Sequence, residues 1–181
     1  LLSGRGEEEA QRCENLVLNS GIPATVVRAA WFNQYFSENF MRNMVLEGTI
    51  ALPVHGVREP FVDADDIADV AFAALTEKKL RGHVYEVTGP DLLSFRETIR
   101  EIGEVSNREI GFQQVPMDDY VQLLNEAEVP QEFVGLLKYL FTEVLDGRNA
   151  YLADGVRLAL CREPRSFHSY AAATAETGVW N

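Results

Sequence analysis

The spacing of apolar residues divides this chain into short strand–helix alternations followed by a stretch that reads as helices only. Leu1-Leu2-Ser3 reads as the end of a buried strand. From Glu7 to about Asn19, Ala10, Cys13 and Val17 fall at helical spacing, with Leu16 widening the stripe. Glu7, Glu8 and Glu9 complement the dipole of that helix, and Ser20-Gly21 supplies a stop. Cys13, on the apolar side, is expected to be a buried structural thiol. Ala24-Thr25-Val26-Val27 is β-branched and apolar, as a parallel strand buried on both faces should be. Leu1 to Arg28 is thus one βαβ crossover.

The same reading continues along the chain. A helix is predicted from near Gln34 to Leu46, closed by Gly48, and Thr49-Ile50-Ala51-Leu52 is a short strand. Ile67, Val70, Ala71, Ala74 and Leu75 form an unbroken core stripe on a further helix, opened by Asp65 or Asp66. His83 to Thr88 is a strand. Ser94 caps the next helix with Glu97 at the capping-box position, and Ile110 to Val115 is a strand.

Beyond Pro116 the pattern predicts helices over Met117–Ala127, Pro130–Val144, Asp154–Leu160 and Ser166–Thr177. The second of these is apolar around much of its circumference (Phe133, Val134, Leu136, Leu137, Leu140, Phe141, Val144), so it packs on two sides or lines an apolar cleft. The expected class is α/β, with sheet-forming and interleaved cap elements over 1–116 and a mostly helical cap over 117–181.

Charge narrows the partners. Lys and Arg number 16 against 28 Asp and Glu, a net charge of −12, which disfavours nonspecific nucleic-acid or anionic-membrane binding. No apolar run approaches the ~20 residues that span a bilayer, and a cytoplasmic protein is the expectation. Cys13 and Cys161 have no metal spacing, and His55, His83 and His168 share none with them or with each other. Asp63, Asp65 and Asp66 are read as helix-capping residues, so no metal site is expected. Arg157, Arg162 and Arg165 form a small basic patch, solvated or paired with the acidic helices.

A longer succession of residues carries a resemblance. Asn19-Ser20-Gly21-Ile22-Pro23-Ala24-Thr25-Val26-Val27-Arg28 is followed by Trp31-Phe32-Asn33-Gln34. Glu59-Pro60-Phe61-Val62-Asp63-Ala64-Asp65-Asp66-Ile67-Ala68 and Tyr85-Glu86-Val87-Thr88-Gly89-Pro90 come next. Glu163-Pro164-Arg165-Ser166-Phe167 and Gly178-Val179-Trp180 close the series. In this order they resemble the NmrA-like family of atypical short-chain dehydrogenases. The resemblance implies a doubly wound Rossmann-like parallel sheet with a small helical cap, binding NAD or NADP, with NADPH favoured. It also implies a small-molecule acceptor such as a quinone, although the family includes non-catalytic redox sensors, and a homodimer or a regulatory protein partner remains open.

Members carry a GxxGxxG-type loop after their first strand, where backbone N–H groups meet the pyrophosphate. Gly4-Arg5-Gly6 is no such loop, so the chain corresponds to the C-terminal half of the family fold and is expected to be inactive alone. The Tyr-x-x-x-Lys pair of typical short-chain dehydrogenases is absent from Gly6–Asn19, so no catalytic residue is named. Ligands of open α/β sheets bind beyond the carboxyl ends of strands. That rule and the resemblance place the cofactor against Ser3, Arg28, Ala29, Ala30 and Asn33, and the acceptor against Trp31, Phe32 and Tyr35. Ser3 then faces the nicotinamide ribose or satisfies local backbone. Ala29-Ala30 admits a flat ring, and Asn33 reaches a carboxamide or quinone oxygen. The alternative for the aromatic residues is a cluster that glues cap to sheet.

Overall fold

The computed structural model describes all 181 residues, apart from the side chain of Phe40. In chain order the elements are β1 (Leu2–Gly4), α1 (Glu8–Leu18), β2 (Val26–Ala29), α2 (Tyr35–Glu38), α3 (Phe40–Glu47), β3 (Thr49–Leu52), β4 (Arg58–Glu59) and α4 (Ala64–Thr76). Then come β5 (Val84–Val87), β6 (Leu93–Ser94), α5 (Phe95–Ser106), β7 (Gly111–Gln114), α6 (Met117–Glu126), α7 (Gln131–Tyr139), α8 (Gly155–Leu160) and α9 (Phe167–Glu176). One π turn, Leu140–Val144, extends α7.

Among the described residues β1, β2 and β5 form a parallel sheet in that order, as the βαβ reading requires. A parallel pair β3–β7 and an antiparallel pair β4–β6 lie beside it. The main sheet packs on α4 and α8 around Val27, Val62, Val70, Val87 and Val156. A second, larger core is aromatic and draws on residues from both sides of position 116: Trp31, Phe36, Phe61 and Phe95, then Tyr120, Phe141, Phe167 and Trp180. Close backbone approach joins the parts. A Cβ on Gly155 would lie 2.2 Å from the carbonyl oxygen of Glu86, and one on Gly89 would lie 1.9 Å from that of Phe61. No described helix is long and apolar enough to cross a membrane.

Local signals explain several elements. Ser94 and Glu97 form a reciprocal capping box on α5. Asp63 caps α4, its carboxylate accepting the Asp65 N–H at 3.0 Å. Asp66 is buried instead, bound by the Arg165 N–H and guanidinium at 2.7 and 2.6 Å. Arg162 joins that pair, and Arg157 pairs with Glu163.

Elsewhere packing departs from the pattern. On α1 the apolar stripe is not the buried face: Cys13 is exposed, Leu16 is 75% exposed, and Glu14 is the buried residue. The helix docks through an ion pair between Glu14 and Arg28. Leu1 and Leu2, at the start of β1, are about half exposed and not buried. On α4, Leu75 points to solvent at the edge of the stripe. The helix expected over Gln34–Leu46 is two, because Asn39 is extended (φ −124°, ψ −169°). On α7 and the π turn only Val134, Leu137, Phe141 and Val144 are buried, while Phe133 and Leu136 are exposed, so the packing is one-sided.

Candidate functional site

Gly4 and Ala29 end two neighbouring parallel strands, and a cavity of about 250 Å³ opens beyond those ends. Ser3, Ala29, Ala30, Trp31, Phe32 and Tyr35 all line it. They converge because the chain leaves β2, crosses beside Val62 through a parallel bridge at Phe32, and turns into α2. Leu140 and Val144 of the π turn close the opposite wall. Trp31 meets Phe95 edge-on, centroids 5.6 Å apart, and Phe32 stacks on Tyr35 at 5.8 Å. The aromatic residues thus both line the cavity and join the larger core. Burial raises the Tyr35 phenol, with the Glu7 charge adding to it.

The other two residues read from the sequence stand outside the lining. Arg28 lies opposite Ser3 and Glu86 in the strand register. Its guanidinium donates to Glu14 Oε1 at 2.9 Å and Glu86 Oε1 at 2.6 Å. These partners raise Arg28, and Arg28 in turn holds the Glu14 carboxyl below its ordinary range. Asn33 is fully buried, its backbone N–H donating to Val62 O at 2.8 Å, and neither amide atom of its side chain has a hydrogen-bond partner.

Sequence reasoning missed the polar wall: Arg5, Glu7, Glu59 and Asn149. Arg5 is buried with its face 3.8 Å from the Tyr151 ring centroid. It donates to Asn149 O at 3.0 Å and Glu86 Oε2 at 3.3 Å, and its Nη2 has no partner. Asn149 Nδ2 returns a bond to Arg5 O at 3.2 Å, so strand end and distant loop hold each other.

Glu59, the last residue of β4, is 0% exposed, and neither carboxylate oxygen has a hydrogen-bond partner. Burial pushes its pKa up to about 7, with the Arg5 cation opposing and Asp146 adding to the rise. Burial of an unpaired acid is invisible in sequence, because the residues that share its cavity, among them Arg5, Leu140, Val144 and Asn149, lie far from it along the chain.

A pH signature follows. A carboxyl at 4.5 when unfolded and about 7 when folded makes the native state bind the extra proton between those values. Stability from this group is full below the lower value and lost as pH rises through the upper one, a change of about 3 kcal/mol. Urea unfolding across that window should show the decline, and Glu59→Gln should remove it. Parallel pH profiles for the two proteins would refute the assignment.

Among the described residues no group of three or more His, Cys, Asp or Glu is placed to hold a metal ion.

Comparison with known proteins places this geometry. The model of the NmrA-like family matches residues 9–161. Prestalk A differentiation protein A of Dictyostelium discoideum is 27% identical over 163 residues, covering 90% of this chain and 54% of that protein. Festuclavine dehydrogenase of Aspergillus fumigatus is 31% identical over 149 residues, covering 81% and 51%. The chain therefore spans about half the length of the curated relatives it matches. An NADPH-dependent quinone oxidoreductase from Escherichia coli, solved with NADPH, superposes with a TM-score of 0.78 at 18% identity, over 92% of this chain and 58% of that one. That likeness shows a shared α/β fold.

Proposed function

The chain belongs to the NmrA-like family, and from that premise we propose that it forms the nicotinamide and acceptor end of an NAD(P)H-dependent reductase of small planar molecules such as quinones. The observation that carries this reading is the cavity beyond β1 and β2, floored by Ala29 and Ala30 and walled by Trp31, Phe32 and Tyr35. Its volume, about 250 Å³, suits one or two flat rings and not a whole dinucleotide. The fit to a nicotinamide rests on small residues at the strand ends and on the buried, unpartnered Arg5 Nη2 beside them. Ser3, Ala29 and Ala30 would hold that ring, with Arg28 and Asn33 setting the backbone behind it. A reduced nicotinamide supplies a hydride when bound. The chain's own residues would orient nicotinamide and acceptor, and the aromatic walls would limit the water beside them.

The test uses the natural full-length polypeptide that contains this chain. NADPH oxidation should depend on an added quinone, and Phe32→Ala should raise the quinone KM by roughly 10-fold with kcat little changed, the loss of one aromatic wall contact. A second reading, a sensor that binds dinucleotide without turnover, is favoured by one observation: α1 contains neither tyrosine nor lysine. Tight NADPH binding by calorimetry with no oxidation across a quinone series would select the sensor.

A further inference from the structure

Resting on the reductase reading, we propose that Glu59 is the proton donor to the acceptor, the catalytic residue that the absent tyrosine–lysine pair leaves unnamed. Three observations of geometry converge on it. Glu59 lines the cavity together with the aromatic residues. It is fully buried. Both its oxygens lack hydrogen-bond partners, so the carboxyl is not used to hold the fold together. A buried acid without a structural partner destabilises the protein, and such a cost is common where chemistry requires the group.

The surrounding charges suit the task. Arg5 approaches from the end of β1, its Nη2 unpartnered; Glu7 lines the same cavity from the start of α1, and Tyr35 from α2. Asp146, beyond the π turn, adds negative charge. Burial also raises Glu7. The proton is therefore held near neutral pH, while Arg5 is placed to offset the carboxylate once the proton leaves.

The step balances as a two-electron reduction. A quinone that receives a hydride from the bound reduced dinucleotide gains two electrons and one hydrogen, and negative charge develops on an oxygen. The O–H bond of Glu59 breaks and its proton joins that oxygen, giving the hydroquinone, while the dinucleotide is left oxidised. The Glu59 carboxylate regains a proton from solvent as product leaves.

Two measurements test this. On the present chain, infrared difference spectra between wild type and Glu59→Gln at about pH 6 should show one protonated-carboxyl band that the variant lacks. Its absence would overturn the proposal without touching the reductase reading. On the full-length polypeptide, Glu59→Gln should keep NADPH affinity and lower kcat by about 100-fold or more, with Glu59→Asp recovering part of it. Wild-type kcat should fall as pH rises through about 7, and the fall should vanish in Glu59→Gln. An active wild type beside an equally active Glu59→Gln overturns the donor role alone. A wild type that never oxidises NADPH with any quinone overturns both.

Discussion

Trp180→Ala is expected to lower the unfolding free energy by about 3–5 kcal/mol, the cost of removing a large buried aromatic side chain and leaving a cavity. Trp180 is 1% exposed and edge-on to Tyr170, with ring centroids 6.4 Å apart. Its indole N–H donates to Phe36 O at 2.8 Å, and its carbonyl accepts from Arg108 Nη1 at 2.5 Å. Arg108 also donates to Leu46 O at 2.7 Å, so one side chain ties the end of the chain to α3. The Tyr170 hydroxyl, pushed up to about 12 by burial, is bonded to Ser37 of α2 at 2.7 Å. For a chain of this length the loss corresponds to a fall of roughly 10 °C in Tm. Calorimetry or urea unfolding reads it directly, and a change below about 1 kcal/mol would show that the site collapses around the missing ring. The effect should reach the cavity, because Phe36 continues through Phe61 and Phe95 to Trp31.

Arg28→Met is the second large effect. The variant keeps the stem but leaves Glu14, whose side chain is 3% exposed, without its cation, and Glu86 keeps only Arg5 and Tyr151. Breaking a buried ion pair from one side costs about 3–5 kcal/mol, because the remaining charge is stranded. The deficit should shrink on acidification. Glu14 has a depressed folded pKa, so its stabilisation is present above its unfolded value and is lost as pH falls through the folded one. Adding Glu14→Leu to Arg28→Met should restore much of the loss, since α1 then docks without a charge to satisfy. Additive losses in that double-mutant cycle would show that Arg28 and Glu14 act independently and would remove this account of how α1 is held.

The second prediction falls where packing overrode the local pattern. The stripe of Ala10, Cys13 and Val17 is a sound helix signal, and the helix is there. Which face it buries depends on Arg28, on another strand, and an ion pair of that kind has no periodicity to read. The apolar circumference of Phe133 to Val144 left two packed sides or an apolar cleft open, and only the fold decides between them: one side is buried, and Leu140 and Val144 line the cavity. Where the decisive partners are close in sequence, as in the Ser94–Glu97 capping box, the reading and the structure coincide.

The candidate site divides the same way. Its aromatic half, Trp31, Phe32 and Tyr35, was legible because those residues follow a strand end directly, and strand ends are where α/β sheets bind ligands. Its polar half was not. Arg5 and Asn149 are 144 residues apart, and the burial that raises the Glu59 carboxyl exists only in the folded chain.

Sequence alone therefore determined the class of fold, through short-range periodicity, and the family, through the order of its motifs; it also placed Trp31, Phe32 and Tyr35 just beyond a strand end, where the structure has a cavity. Tertiary structure alone decided which charges are paired and which carboxyl is buried without a partner. Solvation and electrostatics depend on what surrounds a group in space, and that is set by contacts far apart along the chain.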